Sequence, residues 1–315
     1  ENSSVANQLD QDNITITDDY TMFRGKHTIT IGTHNEFFKF YNLFVQNIFG
    51  NYAFKTLEDF ESQATATPVA PTFYQIGYSF ADDDAFQTGG GAKFNAFQLG
   101  VYAQDEFQAT DKFKLTVGLR IDVPIFPDKP EGNEGFNAAY GEYGKTGEVP
   151  DTKIMWSPRM GFNWDVAGDR SLQVRGGIGL FTGRVPFVWV SNQFSNNGVL
   201  NGTYSTGSSA SSANPLTNGI TYSTDPFNQP TAEDVGATPG RGAINVIDQD
   251  FKFPQVFRTN LALDKQLPWG LTATIEAIFS KTYNNINFIN INRQEQSGFT
   301  FAGSDKRPRY TTTST

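Results

Sequence analysis

From Phe113 onward the chain alternates apolar and polar residues with a period of two. Phe113, Leu115, Val117, Leu119, Ile121 and Val123 fall on one side of an extended strand, and Lys114, Thr116, Gly118, Arg120 and Asp122 fall on the other. A helix, turning every ~3.6 residues, would mix the two sets. The same segregation recurs at 153–166, where Ile154, Trp156, Met160, Phe162, Trp164 and Val166 oppose Ser157, Arg159, Gly161, Asn163 and Asp165. At 171–181 Leu172, Val174, Ile178 and Leu180 oppose Gln173, Arg175, Gly177 and Gly179. At 271–280 Leu271, Ala273, Ile275, Ala277 and Phe279 oppose Thr272, Thr274, Glu276 and Ser280. Weaker alternation at about 94–108, 255–266, 13–23 and 26–45 completes a set of eight predicted strands.

The strands come in pairs, giving hairpins at about 13–45, 94–126, 153–183 and 254–284. Their turns are short: Phe23-Arg24-Gly25-Lys26, Ala109-Thr110-Asp111-Lys112, Ala167-Gly168-Asp169-Arg170 and Leu267-Pro268-Trp269-Gly270. Between hairpins lie long loops at about 46–93, 127–152 and 184–253, rich in Gly, Ser, Asn, Thr and Pro. Short turns at one end and long loops at the other is the asymmetry of an outer-membrane barrel, and loops of this length are unusual within a compact soluble domain.

A soluble β-sandwich also alternates, so strand length has to decide. Sandwich strands average about 5–6 residues, whereas a tilted membrane crossing needs roughly 9–11. The predicted strands exceed both. In hydrocarbon every backbone N–H and C=O needs a partner within the protein, which for strands means a closed barrel. The expected fold is therefore all-β: an antiparallel transmembrane β-barrel, partial, with about eight long strands of a larger barrel and long extracellular loops. Trp156, Trp164, Phe181, Phe187, Trp189, Trp269 and Tyr283 fall near strand ends, as an interfacial aromatic girdle would, against the alternative that they are ordinary core aromatics.

Composition narrows the function classes. Aromatics reach 14%, with 29 Phe, which suits strands. Cys is absent, which removes disulfides, thiolate metal sites and a cysteine nucleophile. The net charge is −9 and no stripe of Lys and Arg could neutralise a phosphate backbone, so nucleic acid is not an expected partner. No stretch approaches a transmembrane helix in length. The first residues, ENSSVANQLD, have no secretory-signal pattern and read as the start of a mature chain or of a fragment.

On the face opposite the apolar one, alternation gathers Arg120, Asp122, Arg159, Asn163, Gln173, Arg175, Arg258, Asn260 and Glu276. As functional residues they would line a lumen and contact a plug or a passing solute. As structural ones they would hydrogen-bond one another and stiffen the wall, since a charge on the lipid side costs about 2–4 kcal/mol near the midplane. The loop residues Phe187, Trp189, Asn192, Phe194, Asn196 and Asn197 combine aromatic surface with amide donors and are the candidates for contact with substrate or plug. His27 and His34, seven apart on one strand, point to opposite faces and cannot share a metal. Asp82-Asp83-Asp84 lacks the spacing of a calcium loop, and GGGAK at Gly89 lacks that of a P-loop. With two His in one strand region, no catalytic triad can be assembled. The expectation is a protein that is not an enzyme and carries no cofactor or metal.

Several stretches together resemble the barrel of a TonB-dependent receptor of the Oar-like type found in Bacteroidota and related bacteria. They are GKHTITIGTHNEFFKFYNLF from Gly25, YAQDEF from Tyr102 with GLRID from Gly118, SPRMGFNWDVAGDRSLQVRGGIGLF from Ser157, FPQVFRTNLALDKQLPWGLTATIEAIFSKTY from Phe253, and RPRY at Arg307. The resemblance implies residence in the outer membrane of a Gram-negative bacterium and movement of a substrate across it. It also implies a barrel of about 22 strands around an internal plug. Its implied partners are outer-membrane lipid, the plug domain and TonB motor of the full-length protein, and a surface lipoprotein or secreted cargo. No plug, TonB box or regulatory domain is legible before residue 1, and Thr311–Thr315 does not read as a terminal strand ending in an aromatic, so the chain is expected to be internal to a longer protein. The alternatives are a passive porin-like barrel, a structural or surface-anchoring barrel, and a soluble sandwich adhesin.

Overall fold

The computed structural model describes residues 7–81, 90–207, 214–240, 242–300, 304 and 307–312; Asp82-Asp83-Asp84 and Gly89 lie outside the described residues. In chain order the strands are β1 (Asn7–Arg24), β2 (His27–Phe44), β3 (Asn51–Ala53), β4 (Phe73–Ser79), β5 (Ala92–Thr110), β6 (Phe113–Ile125) and β7 (Met155–Asp165). They continue with β8 (Leu172–Thr182), β9 (Asn201–Gly207), β10 (Gln255–Gln266), β11 (Thr272–Tyr283), β12 (Arg293–Thr300) and β13 (Pro308–Thr312). Three short helices accompany them: α1 (Leu57–Glu61), α2 (Glu134–Tyr140) and α3 (Phe187–Ser195).

The eight alternating segments form one antiparallel sheet in the order β1-β2-β5-β6-β7-β8-β10-β11. The largest departure from the expected bounds is at the start, where β1 begins at Asn7, six residues before the predicted edge at about 13. Neighbours in sequence pair through the four short turns. Gly25 and Gly168 take positive φ there, at 59° and 86°, a backbone conformation that glycine adopts without steric cost. In the 165–171 turn, Asp165 accepts hydrogen bonds from the backbone N–H of Gly168 and of Arg170, closing the loop on itself.

Period two fixes which residues share a face, and side-chain exposure shows which face is greasy. Val117, Leu119, Met160, Ile178, Leu261 and Ile275 all stand exposed on one face of the sheet. Neither the three-stranded nor the two-stranded sheet is hydrogen-bonded to the large one. Trp156 and Trp164 lie at the two ends of β7 on this apolar face, eight residues apart, which is ~26 Å along a strand. Tyr283 ends β11 on the same face, and Trp269 sits fully exposed at the tip of a short turn.

Three of the predicted girdle residues belong elsewhere: Trp189 lies on α3, edge-on to Phe288, and not on the apolar face of the sheet. Phe181 lies on the polar face, two residues from Gly179, where a β-carbon would come within 2.9 Å of its ring. Phe187 is buried beneath a loop. The polar face also carries one apolar residue that the alternation at 271–280 does not anticipate, Ile278, paired with Asn260.

The long connections are more ordered than the sequence suggests. β3, β4 and β9 pair as a separate three-stranded sheet in the order β3-β4-β9, joining loop 46–93 to loop 184–253. Its core is Tyr74, Ile76, Tyr78 and Ile220. The second core lies where β2 and β5 reach the loop end, and there the polarity of the faces inverts. Phe38, Phe40, Phe94 and Ala96 occupy the face that is polar farther down, and they are buried against Phe187, Val190 and Phe194 of α3. On the other face at this level stand Asp10, Asp12, Lys39, Tyr41 and Lys93. Below this level the outward positions of β2 are His27, Ile29, Ile31, Thr33, Asn35 and Phe37, about ten residue steps that at a tilt of ~40° rise ~25 Å, with the apolar residues among them alternating with polar ones.

Candidate functional site

Because partners in adjacent strands face the same way, whole rows can be followed across the sheet. One polar row runs Gln104, Gly118, Arg159, Gly179, Arg258, Ser280. The next runs Glu106, Thr116, Gly161, Gly177, Asn260, Ile278, and the one beyond it Gln108, Lys114, Asn163, Arg175, Ala262, Glu276. Arg120 lies in the row of Tyr102 and Ser157, Asp122 in that of Gly100 and Met155, and Gln173 between Asp165 and Asp264. All nine residues expected on the polar face are therefore on one face of the sheet.

Much of that face is internally satisfied. Arg175 donates through Nε to Asp264 at 2.9 Å and has Nη1 at 3.9 Å from Glu276. Thr274 donates to the other Asp264 oxygen at 2.7 Å, and Asn260 donates to Glu276 at 3.0 Å. Arg120 bonds Asp122 at 2.9 Å, Lys114 bonds Glu106 at 3.0 Å, and His34 accepts from or donates to Thr17 at 2.7 Å. Glycines make this possible. At Gly100 a β-carbon would meet the Arg120 guanidinium and would lie 2.9 Å from the His34 carbonyl oxygen, so its absence lets Arg120 lie flat across the neighbouring strand. Two arginines differ from this pattern: Arg159 and Arg258 have no carboxylate partner among the described residues.

His27 is on the apolar face, stacked on Phe107 and hydrogen-bonded to Asp105 at 2.7 Å, while His34 is on the polar face. The two are separated by the sheet. Among the described residues no cluster of acidic or His side chains could hold a metal.

At the loop end a cap crosses the polar face. After β8 the chain turns back across the sheet, so that Arg184 pairs with Glu36 of β2, four places along the strand order. Arg184 also donates to Gln98 at 3.3 Å and lies 5.1 Å over the Phe38 ring. α3 follows. Phe187 packs at 5.0 Å from Phe38 and 5.1 Å from Phe40, Phe194 stacks on Phe94 at 4.8 Å, and the buried Asn42 amide donates to Ser191 at 2.7 Å. Gln193, fully buried, donates to the carbonyl oxygens of Glu148 and Lys145, tying α3 to loop 127–152.

This corrects three of the six loop candidates. Phe187 and Phe194 fill the core under the cap, and Asn197 is fully buried, accepting from the N–H of Val199 and of Leu200 at 3.0 Å each. They hold the loop and do not reach a solute. Aromatic and amide composition pointed to recognition here, but α3 has two sides, and only Trp189, Asn192 and Asn196 are on the partly open one. Trp189 meets Phe288 edge-on at 5.0 Å, and Asn196 donates to Asn245 at 3.0 Å. Phe288 and Arg184 were not singled out in the sequence; the run of Asn around Phe288 was the available signal.

Outside the sheet's membrane level, electrostatics follow burial. Desolvation pushes the Tyr74 and Tyr78 hydroxyls far above the ordinary tyrosine value, and Tyr78 donates to the Pro230 carbonyl at 2.7 Å. Lys153 and Asp250 bond at 2.9 Å, which raises the lysine and lowers the carboxyl, pinning the segment before β7 to the segment before β10.

Comparison with known proteins gives a family for the whole chain. The family described as "Outer membrane beta barrel domain" matches residues 1–315. No curated protein matches. Among solved structures, the outer membrane transporter YddB from Escherichia coli is similar with a TM-score of 0.48 at 12% identity, over 87% of this chain and 26% of that one. The copper transporter OprC is similar with a TM-score of 0.44 at 12% identity, over 87% of this chain and 30% of that one. The chain thus spans between a quarter and a third of the length of these solved proteins. A greasy face at transmembrane length, a hydrogen-bonded polar face behind it and a match along the whole chain agree, and the chain belongs to the outer membrane β-barrel domain family, in the outer membrane of a Gram-negative bacterium.

Proposed function

We propose that this sheet is part of the wall of a transport protein of the TonB-dependent receptor type, with its polar face lining the passage and its capped end toward the outside. One observation carries the reading: a sheet greasy on one face at membrane level bears on the other a fixed array of ion pairs, and a loop folded back onto the ends of β2 and β5 caps that face at one end. Both edges, β1 and β11, would need further strands in lipid, because unpaired backbone groups there cost several kcal/mol each. The Oar-like resemblance supplies the remaining parts, a plug and a TonB motor in the full-length protein. We assign no catalysis to the chain, since its two His lie on opposite faces of β2.

Conductance of the full-length protein in planar bilayers tests this against a passive porin. A plugged transporter is nearly silent until the plug is removed or unfolded. Steady open-channel current from the intact protein would favour the porin-like barrel and overturn the reading.

A further inference from the structure

Toward the β1 edge the polar face holds a hollow of about 370 Å³, lined by Thr17, His34, Tyr102, Arg120 and Arg159 and by no carboxylate. Two glycines let side chains from three neighbouring rows reach it. The missing β-carbon of Gly100 leaves room for the Arg120 guanidinium, and a β-carbon at Gly118 would stand 3.1 Å from Arg159 Nε. Arg159 therefore lies over the β6 backbone at Gly118, toward Tyr102, His34 and Arg120. Arg120 pairs with Ser157 and Gly118 with Arg159, so the two arginines are diagonal neighbours on adjacent strands, about 7–8 Å apart at the backbone.

The charges around this hollow do not cancel. Three carboxylates stand near it, and each is engaged: Asp122 accepts from Arg120 Nε at 2.9 and 3.1 Å, Asp19 accepts from the Tyr102 hydroxyl, and Glu36 pairs with Arg184. Because Arg120 meets Asp122 through Nε, its two terminal nitrogens have no hydrogen-bond acceptor among the described residues. Its guanidinium carbon lies 5.7 Å from the centre of the Tyr102 ring, which holds it in place. Arg159 has no carboxylate at all among the described residues. One uncompensated positive charge thus sits beside a second arginine, an arrangement that repulsion disfavours unless an anion lies between them.

We infer that this hollow is an oxyanion site, in which the guanidinium groups of Arg120 and Arg159 take the phosphate or carboxylate head of an acidic solute. The planar fork of arginine suits such oxygens, and charge-assisted pairs of this kind are the strong ones. Thr17 and His34, joined at 2.7 Å, form the polar wall on the β1 side. A water occupies about 30 Å³, so the hollow has room for a head group together with several waters. The inference rests on the reading that the polar face lines the passage, and it names the class of solute that the passage takes.

The test is modification of the full-length protein in bilayers by phenylglyoxal, mapped by mass spectrometry, in inorganic phosphate or acetate against chloride at equal ionic strength. Two exposed arginines are the references, Arg170 in a turn and Arg258 on the polar face. Phosphate or acetate slows modification of Arg159 and Arg120 saturably, by roughly tenfold at about ten times its dissociation constant, and leaves Arg170 and Arg258 unchanged. The variant Arg159→Gln strands no carboxylate and keeps the gel shift of the folded barrel, and in it the protection of Arg120 disappears. Equal rates at Arg159 in phosphate, acetate and chloride overturn the inference, as does protection of Arg120 that survives Arg159→Gln. So does an Arg159 unreactive in every salt, because a protein segment then fills the hollow. Arg258 separates the two levels. A reactive Arg258 beside an unprotected Arg159 leaves the lining role standing and removes the oxyanion site, while an unreactive Arg258 shows a face closed to water and removes the lining role itself.

Discussion

At Gly100 and Gly161 the same residue type serves two different ends. At Gly100 the missing side chain makes room for the Arg120 guanidinium on a neighbouring strand, whereas at Gly161 nothing fills the space and a hollow results. Substitution therefore has opposite costs at the two positions. Gly100→Val forces both the Arg120–Asp122 pair and the β2 backbone to shift, at a cost of about 1–3 kcal/mol. Gly161→Ala meets only ordinary contacts and stays within about 0.5 kcal/mol of the parent. Urea midpoints of the full-length protein, read by the gel shift between folded and unfolded barrel, check this; equal midpoints for the two variants would contradict it. Ion pairs on the same face contribute less than their number suggests, because Arg175 and Lys114 keep more than a third of their side-chain surface exposed and water screens them.

At the scale of elements, the cap is an extension of the wall. α3 is seated by Phe187 and Phe194 on the aromatic ends of β2 and β5. Truncating such a buried ring costs about 3–5 kcal/mol when the site cannot collapse. Phe187→Ala is therefore expected to release loop 184–253 to protease while the gel shift of the barrel persists. Unchanged cleavage would mean that Arg184 and Asn42 alone hold the loop. The eight long strands and their pairing were legible because period-two alternation over ten or more residues has few other interpretations. The cap was not, for a physical reason: alternation says which residues share a face, but not which face meets lipid once a strand has left the membrane. Phe38 and Phe40 continue the polar parity of Thr28, Thr30 and Glu36, so the pattern stays unbroken where its meaning inverts. Burial of Phe187 and Phe194 follows from that inversion, and so does the misplacement of those residues among surface contacts. Ile278 escaped notice, and Phe181 was assigned to the girdle, because each is a single apolar residue on a locally polar stretch of that face.

For the molecule as a whole, the assignment of lipid to the apolar face organises everything else: the position of the ion pairs, the tryptophans at the two ends of β7, the level at which polarity inverts and the need for strands beyond β1 and β11. The chain has no Cys, so single cysteines can be introduced without background from this segment. Spin labels attached one at a time along β6 in the full-length protein, reconstituted in bilayers, can be probed with oxygen, which concentrates in lipid, and with a nickel chelate, which stays in water. Labels at Leu115→Cys, Val117→Cys and Leu119→Cys are predicted to be accessible to oxygen and hidden from nickel, alternating with Thr116→Cys, Gly118→Cys and Arg120→Cys, which are not. Odd positions shielded from both reagents would place them in a sealed protein interior and contradict the account.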